Sequence, residues 1–378
     1  MTLGYRDLST LTLATGVDAS YLRKWALSDG TTLDVVAAQL SAALGALNAE
    51  FTQGVFAQLV SFTDQLEVGY RVGSSAGFEL HTEYGRPDPQ HAATEGHMLP
   101  LRKWDRALGW TWDYLENARL EQIQADIADA IKDARDLWRV QVMTRLLKRG
   151  DDSGAALGLG ASGLSPGFAT AAASTGVDFT PPAYGGVTFT TAHEHYVSIA
   201  GGAWTAAAFA DAASELLEHG HLPPYTALVS PLDEATIRGL TGFIPVQQEG
   251  VAYANTTLAS FGPEYDESGY YIGTISNIRV RVINGMPQYY GFVWKPYGAL
   301  SQRNPLRVRL PKGQTRLAVT AANDPRNGSP AHPLQYMMLR TAFGVGVGDR
   351  TNGTPRYVNN ANWSADCSAS WARISRFI

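Results

Sequence analysis

Four of the chain's eight histidines sit in two short clusters, His193 and His195 around Glu194, and His219 and His221 around Gly220. Imidazole nitrogen is a good ligand for borderline transition metals and a general base near neutral pH, so the four together would suit a metal-dependent hydrolase. A plainer reading accounts for each pair. Adjacent residues of a strand point to opposite faces, and no helical HExxH is present to bring two imidazoles and a glutamate together. His219 and His221 flank a glycine that reads as a helix stop, where polar or cationic side chains suit the carboxyl end of the dipole. Other chemistry is fainter. Gly158, Gly160 and Gly163 spell GxGxxG, but neither a strand before them nor a helix after them supplies the phosphate-cradling geometry. Gly344, Gly346 and Gly348 alternate with valines, as in a strand closely approached by other backbone. Cys367, the single cysteine, has no nucleophile signature around it. Walker and paired-carboxylate patterns are missing. The sequence therefore predicts no catalytic residue, no metal ligand and no cofactor, which leans toward a structural role.

Elements that would carry these residues can be located from periodicity. Between Asp113 and Gly150, the residues Ile123, Ile127, Ile131, Ala134, Trp138, Val142 and Leu146 recur at helical spacing. Asp113 with Glu116 resembles a capping box, and Lys148 and Arg149 precede a terminating glycine. This predicts one helix of roughly 35 residues, about 50 Å long. Ahead of it, 1–30 reads as an extended arm, and Thr32 to Leu47 as a short helix with Val35, Leu40, Leu44 and Leu47 on one stripe. Val68, Tyr70 and Val72 alternate as a strand, and a second strand is expected over His97 to Trp112. The polar, Pro-containing stretch between them would be the tip of a long projecting hairpin, with too little apolar surface to stand free in water.

Beyond the Gly-, Ala- and Ser-rich stretch 151–186, a compact α/β unit is expected. It holds a helix over Thr205 to His219 and a buried strand over Thr226 to Val229. A further helix follows, signalled by Ser230, Pro231 and Asp233. Ile278 to Val282 and Tyr290 to Trp294 flank Asn284-Gly285 and predict a hairpin. Leu306 to Leu310 gives another strand, and Leu334 to Val358 a last pair.

Composition sets the limits. With 378 residues, 45% of them hydrophobic, the chain can bury a substantial core in two domains. A net charge of −5 without long single-sign runs argues against a dedicated nucleic-acid binder. The lone cysteine excludes an internal disulfide. Met1 to Ser20 lacks a signal-peptide core, and no apolar run approaches the roughly 20 residues of a membrane span. A cytoplasm-like site of synthesis is expected, with no membrane partner.

The order of parts resembles the major capsid protein of tailed bacteriophages. Local text is similar too: His193-Glu194-His195-Tyr196-Val197, the Gly201-Gly202 turn, Val229-Ser230-Pro231, the run Met286 to Val293, Tyr297-Gly298 and Asn304-Pro305-Leu306. The resemblance covers about Leu66 to Val358. It implies the α+β capsid fold of the Hong Kong 97-like type. In that fold 1–65 is an N-terminal arm with a short helix, 66–112 an extended loop hairpin, and 113–186 a peripheral domain with the spine helix. Residues 187–300 are then the axial domain, and 301–378 return to the peripheral domain. It further implies pentamers and hexamers closing into an icosahedral virion shell around double-stranded DNA, which is enclosed without sequence-specific binding. A portal, a scaffolding protein and possibly a decoration protein would be partners.

Two departures from the family pattern carry expectations. Some members begin with a roughly hundred-residue helical scaffolding segment, whereas fewer than about 70 residues precede the hairpin here, so scaffolding is expected from a separate protein. Certain relatives join subunits through lysine–asparagine bonds. Of the 30 basic residues here, the only lysines are Lys24, Lys103, Lys132, Lys148, Lys295 and Lys312. Lys103 lies in the hairpin without an identifiable acid catalyst, so no crosslinking is expected. The alternatives are an encapsulin-type compartment shell, which would package an enzyme, and the hydrolase built on His193, His195, His219 and His221.

Overall fold

In a computed structural model of the chain, the residues described are 27–31, 33–72, 93–111, 114, 117–149, 167–169, 179–246, 265–266, 269–322 and 334–363. The Gly158, Gly160 and Gly163 run, Cys367, the Asp113–Glu116 capping pair, the hairpin tip and most of the N-terminal arm lie outside them.

In chain order the elements begin with α1 (Leu33–Glu50), α2 (Gly54–Ala57), β1 (Val60–Thr63), β2 (Glu67–Val72), β3 (Ala93–Met98), β4 (Arg102–Thr111) and α3 (Leu120–Leu147). Next come β5 (Val197–Ser198), α4 (Ala206–Glu218), β6 (Tyr225–Val229), a 3-10 turn (Pro231–Asp233), α5 (Glu234–Arg238), β7 (Ile244–Pro245) and β8 (Tyr265–Asp266). The chain then adds β9 (Gly269–Ile275), β10 (Ile278–Ile283), β11 (Tyr290–Trp294), β12 (Leu306–Arg309), β13 (Thr320–Ala322), β14 (Leu334–Val347) and β15 (Thr354–Tyr357). None of the described helices is long and apolar enough to cross a membrane.

Two compact units result. The first takes the described residues within Met1–Gln53, Leu101–Arg139 and Leu310–Phe343. Its ladder pairs β4 antiparallel with β14, Thr111 opposite Leu334 through Arg102 opposite Phe343, and β13 lies on the other side of β14. α1 turns Val36, Leu40, Leu44 and Leu47 inward at spacings of three and four, while Val35, expected on the stripe, is 44% exposed. α3 begins at Leu120, seven residues after the expected cap, and the Asp29 carboxylate accepts from the Leu120 N–H. A side chain from far upstream thus satisfies a donor that every helix start leaves open. Its stripe of Ile123, Ile127, Ile131 and Trp138 is buried. The Trp138 ring meets Phe51 and Phe343, each at 5.6 Å between centroids. Arg135 grips Glu50 through two parallel bonds of 2.7 and 2.5 Å.

The second unit takes the described residues within Gly54–Pro100, Val140–Arg309 and Gly344–Ile378. From Val140 onward α3 buries Val142, Met143, Leu146 and Leu147, nearly all round, as an interior helix does. The main sheet runs β5-β15-β11-β6-β10-β9-β7, with β8 on β9. α4 lies on it: Trp204, Phe209, Ala212 and Leu216 pack with Ala227, Val229, Ile278, Val280 and Val293 in one core. Each large side chain so buried contributes about 1.5–3 kcal/mol. Thr205 caps α4 by accepting from the Ala208 N–H, and His219 and Gly220 close it, the glycine at φ 80°. Ser230 accepts from the Leu232 N–H and opens the 3-10 turn at Pro231. Both signals match the sequence reading.

Three strand pairings differ from it. The strand expected over His97 to Trp112 is two strands, since Pro100 offers no N–H to a ladder. β3 pairs with β2, whereas β4 pairs with β14. β10 and β11 do not form a hairpin, because the fully buried β6 lies between them, parallel to β10 and antiparallel to β11. The true hairpin is β9–β10, whose turn places Ser276 and Asn277 at φ 49° and 64°, the left-handed pair of a type I′ turn. The last two strands, β14 and β15, belong to separate sheets.

Candidate functional site

The segment before β5 has no regular structure, yet its side chains are held on both sides. Glu194 takes Arg149 at the end of α3, with the guanidinium donating at 2.6 Å, and the Tyr196 hydroxyl donates to the Lys148 carbonyl at 2.8 Å. The His195 N–H donates to the Ala169 carbonyl at 2.8 Å. These bonds turn His193 and His195 the other way, toward the carboxyl end of α4. There His219 is the closing residue of the helix, and a β-carbon on Gly220 would come within 2.6 Å of the Tyr184 ring.

Three imidazoles meet at that point. The Nε2 atom of His193 is 3.0 Å from that of His195 and 2.9 Å from that of His219, and the last two are 2.9 Å apart. Ring centroids stand 5.0, 4.9 and 4.9 Å apart, so every ring turns Nε2 inward. His195 is wholly buried, and its Nδ1 donates to the Gly353 carbonyl at 2.9 Å. Phe189 lies against His193 and His219, at 4.8 and 4.4 Å between centroids. Burial holds all three imidazoles below their usual range, His219 down to about 3 and His195 well below 6.5, and neighbouring charges oppose protonation of His195 and His219 further. Neutral rings are the form in which histidine ligates a metal.

His221 is not part of this group. Its Nδ1 contacts the Tyr297 hydroxyl at 2.8 Å and its Nε2 the Thr351 hydroxyl at 3.0 Å. The four-histidine site is therefore three histidines and a separate polar network. The expectation that neighbouring histidines point apart does not describe them, because His193 and His195 are two residues apart and their segment is not a strand. The HxH spacing followed by a histidine at a helix end is the signal in the sequence. Gly344 and Gly346 lie in β14 opposite Arg309 and Arg307, whereas Gly348 lies just past the strand's end, with the Arg307 side chain beside it.

The second feature is the β2–β3 ribbon, a two-stranded ladder from Glu67 opposite Met98 to Val72 opposite Ala93. At its base Val68 and His97, opposite each other, are buried, whereas Glu67, Gly69, Gly96 and Met98 are exposed. His97 Nε2 donates to the Val347 carbonyl at 2.9 Å, and burial, with Arg350 nearby, lowers the ring to about 4. One edge residue from each strand thus anchors the ribbon. Two strands alone are marginal in water.

No protein-family model matches the chain, and no curated protein matches it. Solved structures do. A chain in the structure described as "Mycobacterium phage Patience" is similar at a TM-score of 0.62 and 18% identity, covering 94% of this chain and 96% of that one. Chains from the "bacteriophage PhiM1 mature capsid" (TM-score 0.46, 12% identity, 82% and 88% covered) and the "Capsid structure of the Cyanophage P-SCSP1u" (0.46, 11%, 82% and 89%) are similar at lower scores. The first likeness runs almost end to end and shows the fold: the chain shares the mixed helix-and-sheet fold of that phage chain.

Proposed function

We propose that the protein is the major capsid subunit of a tailed bacteriophage, a structural protein and not an enzyme, that assembles into an icosahedral shell around double-stranded DNA. The near-complete fold likeness to a phage chain carries this reading. Physical features support it. A two-stranded ribbon needs further apolar contact to be stable, and a neighbouring subunit can supply it. Heterologous contacts of that kind close into rings. In this reading 66–112 is the extended loop, 113–186 carries the spine, 187–300 is the axial domain and 301–378 returns to the periphery. A formal charge of −5 suits a wall that must not hold packaged DNA fast. A portal, a separate scaffolding protein and a decoration protein complete the set of partners. Light scattering on the purified chain, with electron microscopy of the earliest eluting species, tests the proposal. Closed shells or five- and six-membered rings support it; a monomer or dimer that forms nothing larger when co-expressed with neighbouring genes would overturn it. An enzyme-derived cargo peptide inside the shells would instead identify a compartment.

A further inference from the structure

We propose that His193, His195 and His219 bind one divalent transition ion of the borderline class, with zinc as the reference, and that this ion staples three separate stretches of the second unit. The inference does not rest on the shell reading.

The argument starts from the donor count. A neutral imidazole nitrogen either carries a proton and donates, or presents a lone pair and accepts. Three nitrogens, each within 3.0 Å of the other two, always include one pair of the same kind. No arrangement of protons on three neutral rings satisfies every side of this triangle. One corner is already fixed: His195 Nδ1 donates to the Gly353 carbonyl, so its Nε2 is a bare lone pair aimed at the other two. A cation accepts all three lone pairs at once. The Nδ1–H···O=C bond is also the outer contact that orients metal-ligating histidines.

The dimensions fit. Sides of 2.9 to 3.0 Å put the triangle's centre about 1.7 Å from each nitrogen, against about 2.1 Å for imidazole to zinc. Seating the ion about 1.2 Å to one side of the plane, or drawing each ring back by about 0.4 Å, gives normal bonds. A water or small anion would complete the shell, since three protein ligands leave a position open. All-imidazole donation selects zinc, copper, nickel or cobalt over magnesium or calcium. The Phe189 ring beside His193 and His219 restricts water at the site. The ligands come from the loop before β5 and from the end of α4, and His195 reaches the backbone just before β15. An ion there would lock the carboxyl end of α4 to both.

The test uses an untagged full chain, stripped with chelator, dialysed against zinc, and passed through a desalting column before metal analysis. One zinc per chain is expected, with a visible cobalt band on substitution and a higher melting temperature with zinc than without. His219→Gln and His193→Ala, made separately, are expected to lower zinc affinity at least tenfold, whereas His221→Gln, outside the triangle, is expected to keep it. A wild-type chain that retains less than about 0.1 zinc would overturn the proposal, as would a folded His219→Gln variant with wild-type affinity. If one variant fails to fold, the wild-type stoichiometry and the other variant still decide.

Discussion

Asn304 offers the sharpest test of how the second unit is held together. It is wholly buried, and its amide nitrogen donates to the carbonyls of Ala57, Val60 and Gly298 at 3.2, 3.1 and 2.9 Å. Its amide oxygen accepts from the Tyr297 N–H at 3.3 Å. One side chain thus ties α2 and β1 to the loop that leads into β12. Replacing it by aspartate keeps the shape and removes the donors, leaving an oxygen against three carbonyl oxygens. At about 1 kcal/mol for each buried neutral hydrogen bond, with an added desolvation term, Asn304→Asp is expected to cost about 3–5 kcal/mol. That corresponds to a fall in melting temperature of about 8–15 °C for a unit of this size. Calorimetry on the unassembled chain measures it. An Asn304→Asp variant melting within about 1 °C of wild type would refute the assignment of these bonds.

Three other outcomes follow from the same structure. His97 is held near 4 when folded, against 6.5 for a free imidazole, so folding favours the neutral ring; its contribution, about 3 kcal/mol, is complete above pH 6.5 and lost as the pH falls through 4. Protection factors of the β3 amides, corrected for the intrinsic pH dependence of exchange, are expected to fall from pH 7 to pH 4.5, and His97→Gln to blunt that change. Gly353→Ala places a β-carbon 2.6 Å from the Phe168 ring and 2.7 Å from Phe292, an overpacking expected to cost about 1–3 kcal/mol in urea unfolding. Lys103 is exposed in β4, and assembled particles boiled in detergent are expected to run as single chains with or without Lys103→Arg; a covalent ladder lost in that variant would contradict this.

Local signals in the sequence were readable where the structure is local. Thr205, Gly220 and the Ser230-Pro231 pair sit at the helix and turn ends they announced, because a cap is satisfied within one turn of itself. The stripe of α3 was equally plain, although its start was misplaced: the group satisfying Leu120 is Asp29, which no pattern around Asp113 could reveal. Sheet order was hidden for the same reason. Asn284-Gly285 looks like a hairpin turn, and only the burial of all five residues of β6 shows that another strand claims the space between β10 and β11. Asn304 was visible as part of a family-like phrase, but its four bonds were not. The histidine triangle joins residues 24 and 26 positions apart, beyond any periodicity, so HxH alone could only mark a candidate.

The central claim is tested most directly by cryo-electron microscopy of the purified particle. A shell is expected in which 187–300 lies nearest the five- and six-fold axes and the β2–β3 ribbon rests on a neighbouring subunit. A particle without such symmetry, or a β2–β3 ribbon that makes no contact with a neighbouring subunit, would contradict the reading.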